Sequence, residues 1–197
     1  MLAPVLAAWM TCAGGVFGAD EPAEATAFQL IEEGNQYVGI ESKDRVVQIR
    51  SEKSVAGVTP NIWYVVYYDD DARFNATEVK FGAGKKLDVK RPMRLFEKMG
   101  GDDKPLDRAR LKVDSNQAIE IALKEPLLNG LTIKATELKL ERAGGKGQGD
   151  ENLPIWRVEL WAAKLNKPNR QVKIGEVIVS AEDGKVIESD LKISRVD

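Results

Sequence analysis

The chain has no histidine and only one cysteine, Cys12, among its 197 residues. A Ser-His-Asp triad, a Cys-His pair and a zinc site built from histidine or cysteine all need residues that are missing here. An enzyme would have to rely on carboxylate, lysine, serine or tyrosine side chains, and no spacing marks a catalytic pair of carboxylates. We therefore expect a protein that is not an enzyme, with no catalytic residue, no cofactor and no metal site.

An excess of charge of one sign is also missing, since 29 Lys and Arg residues face 31 Asp and Glu residues and the formal net charge is −2. This balance gives no electrostatic reason to expect nucleic acid or an anionic membrane as a partner. The one long hydrophobic run, at the amino terminus, is too short to span a membrane comfortably. We expect no membrane span.

Residues 1–19 contain no charged side chain and end in the small residues Gly18 and Ala19, before acidic Asp20. This pattern predicts a secretory signal peptide cleaved near its end, although no lysine or arginine precedes the apolar run. Cys12 lies inside this segment, so the mature chain would have no cysteine and no disulfide. The predicted location is periplasmic or secreted.

Aromatic and β-branched residues form an unbroken run from Ile62 to Tyr68, which predicts a central strand covered on both faces. Apolar spacing from Ala23 to Glu33 predicts a short helix before it, and Arg45 to Lys53 alternates as a strand does. A hairpin turning through residues 82–84 is predicted after it, followed by one or two helical turns from Pro92 to Met99.

The second half repeats this order of elements. A helix is predicted from Ser115 to Glu125, capped by Asp114 or Ser115 and ended by Pro126. Four strands are then predicted, separated by a glycine-rich loop at 144–149 and a turn at 182–185: Leu131 to Glu141, Ile155 to Trp161, Val172 to Ser180 and Val186 to Ile193.

Matching short segments indicate an internal repeat. Pro60-Asn61-Ile62-Trp63 matches Pro154-Ile155-Trp156, and a Gly-Lys turn occurs at 84–85 and again at 184–185. The simplest fold is α+β, with two related modules that each pack a short helix on a small antiparallel β-sheet. The predicted boundaries are 1–19 for the signal peptide, 20–100 for the first module, 101–113 for a linker and 114–197 for the second module.

The second half resembles a PepSY-type domain. The resemblance rests on the helix from Ser115, the Trp156-Arg157-Val158 strand, and the strand that leads into Asp183-Gly184-Lys185-Val186. It covers roughly residues 114–191, and the first half is similar more weakly through residues 62–66 and 78–87. The resemblance implies tandem PepSY-like modules in an exported or envelope-associated bacterial protein, with restraint of a peptidase as a proposed role. No shared catalytic residue comes with it.

An interaction surface is predicted where polar and aromatic residues share one face of the sheet. Trp63 and Trp156 are interpreted as core residues under the helices, with a ligand-stacking platform as the alternative. Trp161 has the opposite strand phase from Trp156, so an open sheet face there would be a contact surface. The candidate interaction residues are Tyr64, Tyr68, Trp161 and Arg157.

Two charged clusters have a simpler interpretation than a binding site. Asp69 to Asp71 lacks the ligand spacing of a calcium loop and is interpreted as a solvated turn. A basic cluster could contact phosphate groups, but protection of an edge strand by charge is the preferred interpretation; it consists of Lys85, Lys86, Lys90, Arg91 and Arg94.

The predicted function is an exported, non-catalytic binding or interaction module whose partner is an unidentified protein or peptide. Peptide binding by strand addition and restraint of a peptidase are the specific forms considered. The alternative is a structural component of the cell envelope that associates with itself.

Overall fold

The computed structural model describes residues 24–72, 74–91, 104–144, 150 and 152–197. The predicted signal peptide, the helical turns from Pro92 to Met99 and most of the glycine loop at 144–149 lie outside the described residues. Within the described residues the helices and strands, in chain order, are α1 (Ala27–Gly34), β1 (Val46–Ser51), β2 (Ile62–Tyr68), β3 (Ala76–Gly82), β4 (Lys85–Lys90), α2 (Ser115–Leu123), β5 (Ile133–Arg142), β6 (Pro154–Lys164), β7 (Lys167–Ser180) and β8 (Val186–Leu191).

All eight strands belong to one antiparallel sheet with the order β4-β3-β2-β1-β5-β6-β7-β8. In each half, strands that follow one another in sequence are neighbours in the sheet. The halves join where β1 pairs with β5, with Ile49 opposite Leu140 and Arg50 opposite Lys139. The predicted α+β class and antiparallel pairing are confirmed, and strands dominate the structure.

One face of the sheet is covered by the two helices. Side chains alternate between the faces of a strand, and the covered side of β2 and β6 buries Trp63, Val65, Trp156 and Val158. The helices contribute Leu30 and other apolar residues to the same cluster, so one core extends beneath both halves. We call the opposite side the open face.

The helices meet at their amino-terminal ends. Each begins with a capping box, Thr26 with Gln29 in α1 and Asp114 with Gln117 in α2. The first amides of α1 also reach α2: the Ala27 N–H donates to Ser115 Oγ at 3.0 Å and the Phe28 N–H donates to Asp114 Oδ1 at 3.1 Å. Amides that have no partner within α1 are therefore satisfied by the other half of the chain.

Buried serines extend the junction between β1 and β5. The Leu138 N–H donates to Ser51 Oγ at 2.8 Å, and the Thr136 N–H donates to Ser54 Oγ at 2.9 Å. The Ser54 N–H in turn donates to the Thr136 carbonyl at 2.8 Å. Hydroxyl groups thus replace backbone partners where regular pairing of the two strands ends.

The described part of the predicted linker packs against the sheet. Leu106 and Val113 belong to the core, and the Leu106 N–H donates to the Val46 carbonyl at 2.7 Å. The Val113 carbonyl accepts a hydrogen bond from Trp156 Nε1 at 2.8 Å. Residues 104–113 therefore help to build the core, while the division of the chain at this point stays a prediction.

Candidate functional site

All four predicted interaction residues lie on the open face. Tyr64 and Tyr68 lie on β2 and alternate with the buried Trp63, Val65 and Tyr67, which face the helices. Arg157 and Trp161 lie on β6 and alternate in the same way with Trp156, Val158 and Leu160. All four are half-buried, although no layer of the described chain covers them.

The four residues spread along a diagonal instead of forming one cluster. Tyr64 and Arg157 belong to the same row across the sheet, with β1 and β5 between them. Since β2 and β6 run in opposite directions, Tyr68 and Trp161 lie toward opposite ends of the strands. Strand spacing and residue rise place those two positions on the order of 30 Å apart.

A row of mostly charged residues crosses the middle of the open face, and sequence reasoning missed most of it. Four of its members are cations, on β3, β1, β5 and β6. Like charges on adjacent strands repel unless they are compensated. From edge to edge this central row consists of Asp88, Lys80, Tyr64, Arg50, Lys139, Arg157, Ile178 and Glu188.

Carboxylates on either side of the central row compensate its cations. Arg50 pairs with Glu78 at 2.5 Å. Arg157 pairs with Glu141 at 2.8 Å and with Glu176 at 3.2 Å. Burial alone would lower the pKa of Arg157, but the hydrogen bond that it donates to Glu141 and the charges of both carboxylates raise it. The guanidinium group therefore stays charged and is held in one orientation.

A second row contains only acidic residues. Glu137, Glu159, Glu176 and Asp190 are register neighbours across β5, β6, β7 and β8. Nearby cations offset this charge, including Lys173, whose Nζ lies 2.5 Å from Glu159. An acidic row thus lies beside the central row with its four cations, and this part of the open face carries both signs of charge.

The ring of Tyr64 lies beneath two cations. The Arg50 guanidinium is 4.2 Å and the Lys80 ammonium 4.9 Å from its centroid. Its hydroxyl donates to Glu52 Oε1 at 2.5 Å, and Lys80 Nζ donates to the same oxygen at 3.0 Å. The hydrogen bond from Tyr64, and after it the one from Lys80, lower the pKa of Glu52.

Cations also flank the other two aromatic rings of the predicted surface. Arg45 lies 4.3 Å from the centroid of Tyr68. Lys53 and Lys173 lie 4.9 and 5.6 Å from the centroid of Trp161. These aromatic residues are therefore parts of an ion-paired surface. The predicted covering of the central strand on both faces holds at Val66, which is buried in a small apolar cluster of the open face, whereas cations lie over the aromatic rings.

A shallow groove lies over β1, β5 and β6 at the centre of this face, with a cavity volume of about 270 Å³. Three cations and three carboxylates line it together with Leu138, so its lining has no net charge. The lining residues are Arg50, Glu137, Leu138, Lys139, Glu141, Arg157 and Glu159. A signal for these residues was present in the sequence, because charged residues alternate with leucines from Glu137 to Glu141.

The acidic turn and the basic cluster have local partners, and the prediction of a solvated turn is wrong for Asp69. Asp69 is buried and accepts hydrogen bonds from Thr77 Oγ1 at 2.5 Å and the Asp71 N–H at 3.1 Å. Arg91 pairs with Asp69 at 3.2 Å and Lys90 with Asp88 at 2.9 Å. In the part of the chain that the structure describes, no group of three or more acidic, cysteine or histidine side chains could hold a metal ion.

No protein-family model, no curated protein and no solved structure matches the chain. Among the described residues, none of the helices has the length and apolar character needed to cross a membrane. The structure itself has a strand-dominated α+β fold. Two helices cover one side of its single sheet, and the other side is open and carries ion pairs.

Proposed function

We propose that the chain is a non-catalytic binding module that docks a protein partner on the open face of its sheet. The observation that supports this is the open face itself, where aromatic and charged side chains are fixed by ion pairs with no covering layer of described chain. Side chains that are already ordered lose less conformational entropy when a partner binds. Such a surface suits recognition better than catalysis.

The charge pattern favours a protein partner over other macromolecules. A nucleic acid or an anionic lipid surface would be matched by an excess of positive charge, whereas the groove at the centre of the face balances cations with carboxylates. A protein surface can present both signs in a complementary pattern. We propose a partner with an exposed segment of mixed charge, and a peptidase that the module restrains is the specific form suggested by the PepSY-type resemblance.

Export to the periplasm or the medium, and an origin from two related PepSY-like modules, belong to the same proposal. In each half the chain runs helix and then four strands. Trp63 and Trp156 both lie near the start of the second strand of their half, and both donate their indole N–H to a backbone carbonyl. These similarities support the idea of a repeat.

The test is capture from an envelope extract, using the chain from Asp20 as bait, with bound proteins identified by mass spectrometry. Trp161→Ala and Tyr68→Ala baits report on the open face. Leu127→Ala is the matched control, because Leu127 is 50% exposed and follows α2. We expect a partner that the wild-type and control baits retain and the open-face variants lose.

A peptidase among such partners would then be assayed for inhibition by the purified chain. A partner retained equally by all four baits would contradict docking on the open face. Recovery of the chain alone would favour the second candidate, a self-associating envelope component. That candidate has its own support, because β4 and β8 are the edge strands of the sheet.

A further inference from the structure

We propose that copies of this chain associate head to tail, with β4 of one copy pairing with β8 of the next. The partner at each edge is therefore a second copy of the chain. This inference develops the self-associating candidate and does not depend on any ligand of the open face.

The topology permits this pairing without distortion. All seven strand pairings are antiparallel, and the sheet has an even number of strands, so β4 and β8 run in opposite directions. When copies are placed side by side in the same orientation, β8 of one lies antiparallel to β4 of the next. The helices then remain on one side of the extended sheet.

The two edges present apolar side chains that the sheet itself leaves uncovered. Leu87 and Val89 on β4 are 55% and 38% exposed, and Val186 and Ile187 on β8 are 39% and 40% exposed. Among the described residues nine large apolar side chains are exposed, and these two short strands supply four of them. An edge with apolar side chains and unpaired backbone is a template for another strand.

Charge selects which edges pair. β4 carries three lysines and one aspartate, whereas β8 carries Glu188 and Asp190 and no cation. Two β4 edges would repel each other, as would two β8 edges, but β4 and β8 attract. The lysines of β4 therefore oppose pairing of two β4 strands and favour pairing of β4 with β8. This refines their interpretation as general protection of an edge strand.

Asp88 moderates this association. Its carboxylate accepts a hydrogen bond from the Val89 N–H at 2.8 Å and pairs with Lys90 at 2.9 Å. An incoming strand has to displace the carboxylate from that N–H, and Asp88 is also the one negative charge on β4. Asp88→Ala should therefore strengthen association.

A pairing of two different edges is heterologous and generates rings or open filaments.

The experiment is sedimentation velocity on the full chain over a wide range of concentration, at low and at high salt. Lys86→Glu with Lys90→Glu reverses the β4 edge, and Glu188→Lys with Asp190→Lys reverses the β8 edge. The matched control for the β4 reversal is Lys112→Glu with Lys124→Glu, which makes the same change in net charge at two exposed sites outside β4 and β8.

We expect the wild-type and control chains to form oligomers that weaken as salt increases. Each edge reversal alone should weaken association by about tenfold or more, and the variant that combines both reversals should regain it. Circular dichroism spectra matching the wild type establish that each variant is folded. A wild-type chain that stays monomeric throughout, a control as weak as the edge variants, or a combined variant that fails to recover would each overturn the proposal.

Discussion

Trp156 and Trp161 lie on the same strand and occupy opposite environments. Trp156 is fully buried, donates to the Val113 carbonyl at 2.8 Å and has the Phe28 ring centroid at 6.5 Å. Trp161 is half-buried on the open face, between two lysine ammonium groups. The strand alternation decides these roles, so the two residues should respond differently to truncation.

We expect Trp156→Ala to lower the free energy of unfolding by about 3–5 kcal/mol, because it leaves a large cavity in the core. Trp161→Ala should cost less than about 1 kcal/mol, as a change on a partly exposed surface. Urea unfolding monitored by circular dichroism measures both. Similar losses for the two variants would contradict the assignment of one residue to the core and the other to the surface.

Glu52 predicts a pH dependence of stability. Its hydrogen bonds with Tyr64 and then Lys80 lower its pKa in the folded state. A group whose folded pKa is lowered contributes stability above its unfolded pKa, and that contribution is lost as the pH falls through the folded value. As the pH falls from neutral to below about 4.3, the wild-type chain should therefore lose this contribution to its stability. The Glu52→Gln variant lacks the contribution at every pH.

The measurement is the melting temperature of the wild type and of Glu52→Gln from neutral to acid pH. The difference between them should be present at neutral pH and shrink in acid, and it should be small because Glu52 is largely exposed. Glu120→Gln, on the exposed side of α2, is the matched control. A difference that grows on acidification would show that the sign is wrong.

At the scale of single residues, the sequence was sufficient wherever alternation decides the answer. The phase of β6 assigned Trp156 to the core and Trp161 to the other face, as the structure has them. The cations over the rings could not be predicted. Lys53 reaches Trp161 from a distant part of the chain, and no local pattern encodes such a contact.

Among the elements, the β7–β8 hairpin depends on one glycine. Gly175 has a φ of +138°, and a Cβ atom at this position would lie 1.9 Å from the Asp190 carbonyl oxygen on β8. We expect Gly175→Ala to cost at least about 2 kcal/mol, from backbone strain and the clash together. Gly39→Ala is the control, since a Cβ there meets nothing within 4 Å. Equal unfolding midpoints for the two variants would contradict this.

The helices show which local signals decide an element. The sequence predicts Asp114 or Ser115 as the cap of α2, and in the structure Asp114 is the cap, in a capping box with Gln117, so α2 begins at Ser115. The prediction for α1 placed its start at Ala23, but the described helix begins at Ala27 because Thr26 and Gln29 form a second capping box. That Thr-x-x-Gln pattern in the sequence marks the start of the helix.

For the whole molecule, the halves were predictable and their junction was not. Hydrophobic alternation identified strands in both halves, and the pairing of neighbours within each half follows from short connections. The junction has only two register pairs between β1 and β5, with buried serine hydroxyls beside them. Two isolated serines leave no periodic pattern in the sequence that could predict this junction. The hydrogen bond between α1 and Ser115 joins residues 88 positions apart, so no local pattern predicts it either.

This junction predicts that the described chain unfolds as one unit. The core contains residues of both halves, including Trp63 and Trp156, and the first amides of α1 are satisfied by α2. Neither half can open without exposing the core of the other, so circular dichroism and tryptophan fluorescence should give one coincident transition in urea.

Ser51→Ala tests how the junction transmits stability. It leaves the buried Leu138 N–H without its hydroxyl partner, which should cost about 1–3 kcal/mol. Hydrogen exchange of Val65 on β2 and Val177 on β7 reports on the two halves separately. Because both residues are fully buried in the shared core, their opening free energies should fall together by the same amount. Loss of protection at Val65 alone would mean that the halves unfold independently across β1 and β5.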